Sequence, residues 1–421
     1  MEEVHVVIVG AGPAGLATSA CLNRLNISNV VLEREDCCAS LWKNRSYDRL
    51  KLHLAKQFCE LPYMPFPENT PTYVPRKEFI QYLDTYVSTF KINPLYHRSV
   101  ETASFDEDVG KWCVLVNNTE LGVQESYYAK FLVAATGENG EGYLPQTNGL
   151  GSFKGEIIHS SEYGNGNKYR GKNVLVVGSG NSGMEIAYDL SNSCANTSIV
   201  IRSSVHVLTK EIVFIGMVLS KYLPIKVVDG IVMFLTKLKI GNLSKYGIQN
   251  PKMGPFYIKQ NEGHSPIIDV GTIKKIKSGD IQVLPSITNI EGNEIRFENG
   301  YLKWYDAIVF ATGYKTTVLK WLKDENNLFG DNGMPKKSFP NHWKSQNGLY
   351  CAGFSRRGLF GISYDAQHIS NDISFSLNQC DRYTCELIPK IYYFGAEAVK
   401  QEVEDVGSSK RKIDVVSSTR T

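Results

Sequence analysis

The chain has 421 residues, room for two or three domains, and carries 46 Lys and Arg against 43 Asp and Glu for a formal charge of +3. So small an imbalance excludes a nucleic-acid binder that works through bulk charge, and no zinc spacing or aromatic RNA-binding motif is present, so no metal site is expected. The nine cysteines, an odd number in a chain that enters a strand at about Val4, indicate a reducing, cytoplasmic compartment rather than a secreted disulfide framework.

The first predicted strand, Val6-Val7-Ile8-Val9, runs into Gly10-Ala11-Gly12-Pro13-Ala14-Gly15 and then into a helix from Leu16 to Leu25. Strand, glycine turn and helix in that order make a dinucleotide cradle: glycines serve the tight turn, the approach of backbone to pyrophosphate, and helix–strand packing. The next strand, Val30-Val31-Leu32, ends on Glu33. An acidic side chain there accepts hydrogen bonds from a ribose 2′-hydroxyl, so the first cradle reads as a site for FAD or NAD. From Cys37 to Pro75 the chain is loop-rich, with aromatics and prolines dense in Leu61-Pro62-Tyr63-Met64-Pro65-Phe66-Pro67. A helix is predicted from Arg76 to Phe90. Alternating runs at Trp112–Val116 and Tyr127–Lys130 predict an antiparallel meander. Phe131-Leu132-Val133-Ala134-Ala135-Thr136-Gly137 predicts a buried parallel strand closed by a turn.

A second cradle opens with Val174-Leu175-Val176-Val177 and Gly178-Ser179-Gly180-Asn181-Ser182-Gly183. Its second strand, Ser198 to Ile201, ends on Arg202 where the first cradle has Glu33. A guanidinium there makes charge-assisted bonds to a 2′-phosphate, which points to NADPH; the plainer alternative is a solvated surface charge. Two cradles hold two dinucleotides, and that implies electron transfer between them. The most apolar region, Ile212 to Thr236, is interrupted by Lys221, Pro224, Lys226 and Asp229. It falls short of the ~20 uncharged residues of a membrane span, so two helices broken at Pro224 are expected, with a weak peripheral membrane contact as the alternative. Ala307-Ile308-Val309-Phe310-Ala311-Thr312-Gly313-Tyr314 then repeats the apolar strand and Ala-Thr-Gly turn. The expected fold is α/β with two Rossmann-like domains, the second inserted in the first. Residues 1–165 begin the FAD-binding domain, 166–295 form the NADPH-binding domain, 296–394 return to the first, and 395–421 lose apolar periodicity and read as a disordered tail.

Two further motifs carry a family resemblance. Phe153-Lys154-Gly155-Glu156-Ile157-Ile158-His159-Ser160-Ser161-Glu162-Tyr163 fits the identifying pattern of the flavin-containing monooxygenases, and Phe310-Ala311-Thr312-Gly313-Tyr314 fits their second box. With the two cradles in order, the resemblance reaches about Asp372. Within that family the chain resembles the plant YUCCA subfamily through Ala39-Ser40-Leu41-Trp42, Tyr47 to Leu54, Lys56-Gln57-Phe58-Cys59, Ala135 to Asn139, Val205 to Leu208 and Gly241 to Gly247. Ala55 departs from the proline usual there, and the end from about Phe375 does not match.

The resemblance implies oxidative decarboxylation of indole-3-pyruvate to indole-3-acetate, in auxin biosynthesis. FAD, NADPH and oxygen would act through a C4a-(hydro)peroxyflavin shielded from water. An aromatic α-keto acid and oxygen are then the small-molecule partners, with a cytoplasmic site, free or at the endoplasmic reticulum surface. His53 aligns where general members carry an asparagine beside the ring and is the candidate catalytic residue; a structural histidine in a buried loop is the equal alternative. Trp42 is the candidate for packing on the flavin, against an ordinary core tryptophan, and His159 reads as an anchor of the interdomain linker. An N- or S-oxygenating relative or an NADPH oxidase fits the same motifs. A disulfide reductase needs paired cysteines at the flavin, where only adjacent Cys37 and Cys38 occur in the first region and Cys194 alone in the second; Cys380 and Cys385 lie near the C-terminus. A non-catalytic escort would leave the second cradle without a purpose.

Overall fold

Strand β1 (Glu2–Val9) is a β-branched run with Val6, Val7 and Ile8 fully buried, as the interior of a parallel sheet requires. The computed structural model of the protein describes residues 2–323 and 328–380; the expected tail, Cys385 and the last part of the return segment lie outside them. Helix α1 (Pro13–Arg24) follows the first glycine turn and returns the chain to β2 (Asn29–Leu32), parallel to β1. Helix α2 (Arg76–Thr89) covers one face, with Phe79, Leu83 and Tyr86 fully buried. Strands β3 (Arg98–Asp106), β4 (Lys111–Asn118) and β5 (Val123–Ala134) then form the expected antiparallel meander.

The meander and the predicted buried strand are continuous. Strand β5 pairs antiparallel with β4 through Ala129, and its last residues, Leu132–Ala134, lie between β1 and β11 (Leu349–Cys351), parallel to both. The first sheet therefore has the order β2-β1-β5-β4-β3, with β11 against the carboxyl half of β5.

The second sheet is parallel throughout, in the order β9-β8-β7-β10-β6. It is built from β6 (Glu156–His159), β7 (Asn173–Val177), β8 (Asn196–Val200), β9 (Ile281–Leu284) and β10 (Ala307–Phe310). Helix α3 (Asn181–Asn192) makes the crossover from β7 to β8. The sheet thus draws on residues outside 166–295: β6 lies before that interval and β10 beyond it. Each apolar strand that ends in Ala-Thr-Gly pairs with the strand of its own cradle, β5 with β1 and β10 with β7.

The apolar region between β8 and β9 forms α4 (Lys210–Leu219) and α5 (Ile225–Lys239), separated at Pro224 as the sequence predicts. Asp229 has a purpose there that its apolar neighbourhood conceals. It is buried and accepts the backbone N–H groups of Phe256 and Tyr257 at 2.8 and 3.0 Å, capping α6 (Pro255–Glu262). Among the described residues no helix is long and apolar enough to cross a membrane. The last helix, α7 (Gly358–Cys380), returns to the first unit, where Ala366, Ile369 and Ile373 are fully buried in one cluster with Leu16, Ala17 and Ala20 of α1. Alanines on α1 let the two helices approach closely.

Gly15 and Gly183 have no room for a side chain: a Cβ would overlap the carbonyl oxygen of Gly10 in the first case and of Gly178 in the second. Gly15→Ala and Gly183→Ala should each cost about 3 kcal/mol of stability through backbone overpacking. Thermal melting checks this, and wild-type melting temperatures would refute it.

Candidate functional site

The two cradles have nearly the same local geometry. Gly10 and Gly178 hold φ of +106° and +114°, values that glycine alone adopts freely. A Cβ on either would meet the carbonyl oxygen of the alanine in its own Ala-Thr-Gly turn, Ala135 or Ala311. Gly12 and Gly180 are different. Both have extended backbone, and a Cβ on either would find nothing of the chain within 4 Å. At these two positions the open space belongs to a ligand, and a helix N-terminus presents its free N–H groups.

A cavity of about 570 Å³ lies on the first cradle. Gly10, Gly12, Pro13 and Ala14 form its floor, Glu33 stands at one side, and Thr136 to Glu141 form another wall. Ala11 and Gly15 are fully covered behind the floor. The Glu33 carboxylate is buried and accepts the N–H groups of Ala11 at 2.7 Å and Glu35 at 3.1 Å, so it is held at the edge of the turn. Burial pushes its carboxyl above the usual range, against those two hydrogen bonds. Two cavity-wall atoms, Thr136 Oγ1 and Trp321 Nε1, are buried without a partner among the described residues, and a polar ligand would complete them. The wall fits a flavin dinucleotide.

Trp42 lines this cavity, with its ring edge-on to Phe79 at 4.6 Å between centroids. His53 does not. Its Nε2 lies 3.0 Å from Oε1 of Glu185, a buried carboxylate on α3. His53 therefore joins the loop excursion of the first unit to the cradle helix of the second. Ala55 is buried with φ −63° and ψ 146°, backbone angles that suit a proline equally well, so the departure there leaves the loop path unchanged.

In the second cradle Ser179 and Ser182 are half-buried beside Gly178 and Gly180, and Asn181 is tied down by accepting the Ile268 N–H at 2.7 Å. Arg202 follows β8 and is exposed, with no hydrogen bond or ion pair to another described side chain. It is free to meet a phosphate.

The linker motif holds the frame. Phe153 is buried, and a Cβ on Gly155 would strike the Asp306 carbonyl. His159 Nε2 donates to the Gly313 carbonyl at 3.0 Å while Nδ1 accepts the Ser161 N–H at 3.1 Å. Burial pushes its pKa down, so the ring serves as a neutral tie between the linker and the second Ala-Thr-Gly turn. Tyr163 donates to Asp189 of α3 at 2.7 Å. Cavity residues that sequence reasoning left without a role include Glu138, Thr136, Trp321 and Arg356. The first two sit in a quoted segment, but nothing in a linear pattern marks a side chain as facing a cavity.

Residues 3–354 match the flavin-binding monooxygenase-like family. The chain belongs to that family. Among its relatives, "Probable indole-3-pyruvate monooxygenase YUCCA10" of Arabidopsis thaliana is 54% identical over 88% of this chain and 97% of that protein. "Indole-3-pyruvate monooxygenase YUCCA6" of the same plant is 45% identical over 87% and 89%. The crystal structure of OTEMO in complex with FAD and NADP superposes with a TM-score of 0.70 over 90% of this chain and 85% of that one, at 15% identity, a likeness of fold. As a member of the family the protein is an NADPH-dependent flavin monooxygenase, and its cofactors are FAD and NADPH.

Gly12→Val places a side chain in the open space without touching the chain. The variant should fold with the stability of the flavin-free wild type yet purify colourless; a variant with a full complement of FAD would refute the assignment of the first cradle. His53→Ala removes a hydrogen-bond partner of the buried Glu185 carboxylate, which should cost about 1–3 kcal/mol of stability while the flavin spectrum stays unchanged. A shifted flavin spectrum would place His53 at the ring instead.

Proposed function

We propose that the protein converts indole-3-pyruvate to indole-3-acetate, the auxin-forming reaction. One keto acid, one oxygen molecule, NADPH and a proton give the acetate, carbon dioxide, water and NADP⁺. The observation that carries this reading is 54% identity to YUCCA10 across 97% of that protein's length. When bound, FAD and NADPH supply hydride transfer and oxygen activation. The chain's own residues supply place and shelter. Gly12 lets the backbone reach a pyrophosphate, Glu33 receives a ribose hydroxyl, and the exposed Arg202 meets a 2′-phosphate. Trp42 closes part of the cavity wall, and the His159 and Tyr163 ties fix the second unit against the linker.

Among the described residues no cysteine lines the cavity, which argues against disulfide reductase chemistry. Two complete cradles argue against a non-catalytic escort. N- or S-oxygenation and uncoupled NADPH oxidation share the same machinery and are separated by the product. The reading includes a cytoplasmic location, supported by the free thiols of the described cysteines. Exposed Val227, Phe234 and Leu238, among the lysines of α5, would be the face presented to the endoplasmic reticulum surface.

With labelled oxygen gas and catalase present, one labelled atom should enter the carboxylate of indole-3-acetate. Loss of product on adding catalase would make the protein an oxidase that releases peroxide and would refute the reading. Arg202→Ala should weaken NADPH binding by about 1.5–3 kcal/mol, the scale of hydrogen bonds to charged groups, and leave NADH binding almost unchanged. Equal use of both nucleotides by the wild type would show that Arg202 is a surface charge.

A further inference from the structure

Five cations line the cavity, and four of them are matched by carboxylates. Arg34 and Arg45 share Glu35 at 3.4 and 2.7 Å, Arg98 pairs with Glu125 at 3.0 Å, and Lys320 with Glu141 at 2.6 Å. Arg356 is the exception among the described residues: it has no ion pair, and its Nη1 donates only to the Glu262 carbonyl at 3.3 Å. The backbone of Arg356 has φ +56°, a region in which a side chain with a Cβ is strained and which clusters at working sites.

Arg356 does not stand alone. It lies in the turn that leads into α7 and reaches the carboxyl end of α6, where Lys259 Nζ donates to the Gly263 carbonyl at 3.3 Å. Arg357 lies over the Phe339 ring at 3.9 Å. Glu138, in the cavity wall, is the carboxylate that acts on Lys259 and Arg356. Two cations thus face one carboxylate, with Arg357 adding its charge beside Lys259, a surplus of positive charge at a partly dry junction, where Coulomb attraction is stronger than in water. The junction is also where the cavity meets the inserted unit, since Arg356 both lines the cavity and donates to the carboxyl end of α6. Hydride must arrive from that unit, so the substrate is received on the side of the cavity that faces it.

We propose that Arg356, assisted by Lys259, recognises the carboxylate of an aromatic α-keto acid substrate. This rests on the reading that such an acid is the substrate. A guanidinium fork suits a planar carboxylate, and it makes the charged acid, rather than a neutral ketone or an amine, the preferred occupant.

The test uses the full FAD-loaded chain and two unreactive probes, indole-3-propionate and indole-3-propionamide, titrated by perturbation of the flavin absorbance. The wild type should bind the acid at least about tenfold more tightly than the amide, the scale of a hydrogen bond to a charged group. Arg356→Gly relieves the backbone strain and so keeps the fold; it should bring the two affinities together, while Arg356→Lys retains part of the preference and Lys259→Met reduces it. An undiminished preference in Arg356→Gly overturns the inference alone. Release of FAD or weakened NADP⁺ binding by that variant, with the preference intact, assigns the cation to a cofactor phosphate and also overturns it. A wild type that binds neither probe and does not consume indole-3-pyruvate overturns the inference together with the proposed function.

Discussion

The whole arrangement depends on how closely two backbone segments approach each other, twice. At each cradle a glycine at positive φ lies against the carbonyl of an alanine at the end of the neighbouring parallel strand. The same backbone bonds recur: Ala135 donates to Val9 at 2.9 Å and Ala311 to Val177 at 2.8 Å, while Gly10 and Gly178 donate to Leu32 and Val200. Each turn is thereby pinned from both sides. Its free N–H groups face outward from a fixed place, which a pyrophosphate needs and a flexible loop does not offer.

The identifying motif of the family gains a physical meaning from this. Phe153, Gly155, His159 and Tyr163 are buried or tied within the frame, not exposed to a substrate. They secure the edge strand of the second sheet to its cradle helix and to its Ala-Thr-Gly turn. A conspicuous sequence pattern can therefore mark the joints of an enzyme while its substrate contacts remain inconspicuous. Arg356 sits in a turn that no sequence motif marks, and its positive φ and the pairing of every other cavity cation make it visible.

Elements with strictly local causes were legible in the sequence. Helices α1, α2, α4 and α5 lie where apolar periodicity, prolines and glycines place them, and Glu33 and Trp42 face the cavity. What was hidden was long-range. The His53–Glu185 pair spans 132 residues, and neither residue announces the other. Asp229 reads as a charge that interrupts an apolar run, yet it is a buried cap for a helix that begins far along the chain. The strand that completes the second sheet is hidden for a related reason. Periodicity identifies Ala307–Phe310 as a buried strand, but both sheets need such a strand, and only pairing with β7 reveals which one receives it.

The change of partner along β5 has a consequence for biogenesis. Its carboxyl half is bordered on one side by β1, made before it, and on the other by β11, which the ribosome delivers only after the entire inserted unit. At ordinary elongation rates that interval lasts roughly ten to forty seconds. During it a buried, apolar strand carries an open row of backbone donors and acceptors, the condition under which nascent chains pair with the wrong neighbour. The inserted unit, all of whose sheet strands are made before β11, can settle first. The flavin-binding unit is completed last, by a strand of three residues and the helix that follows it.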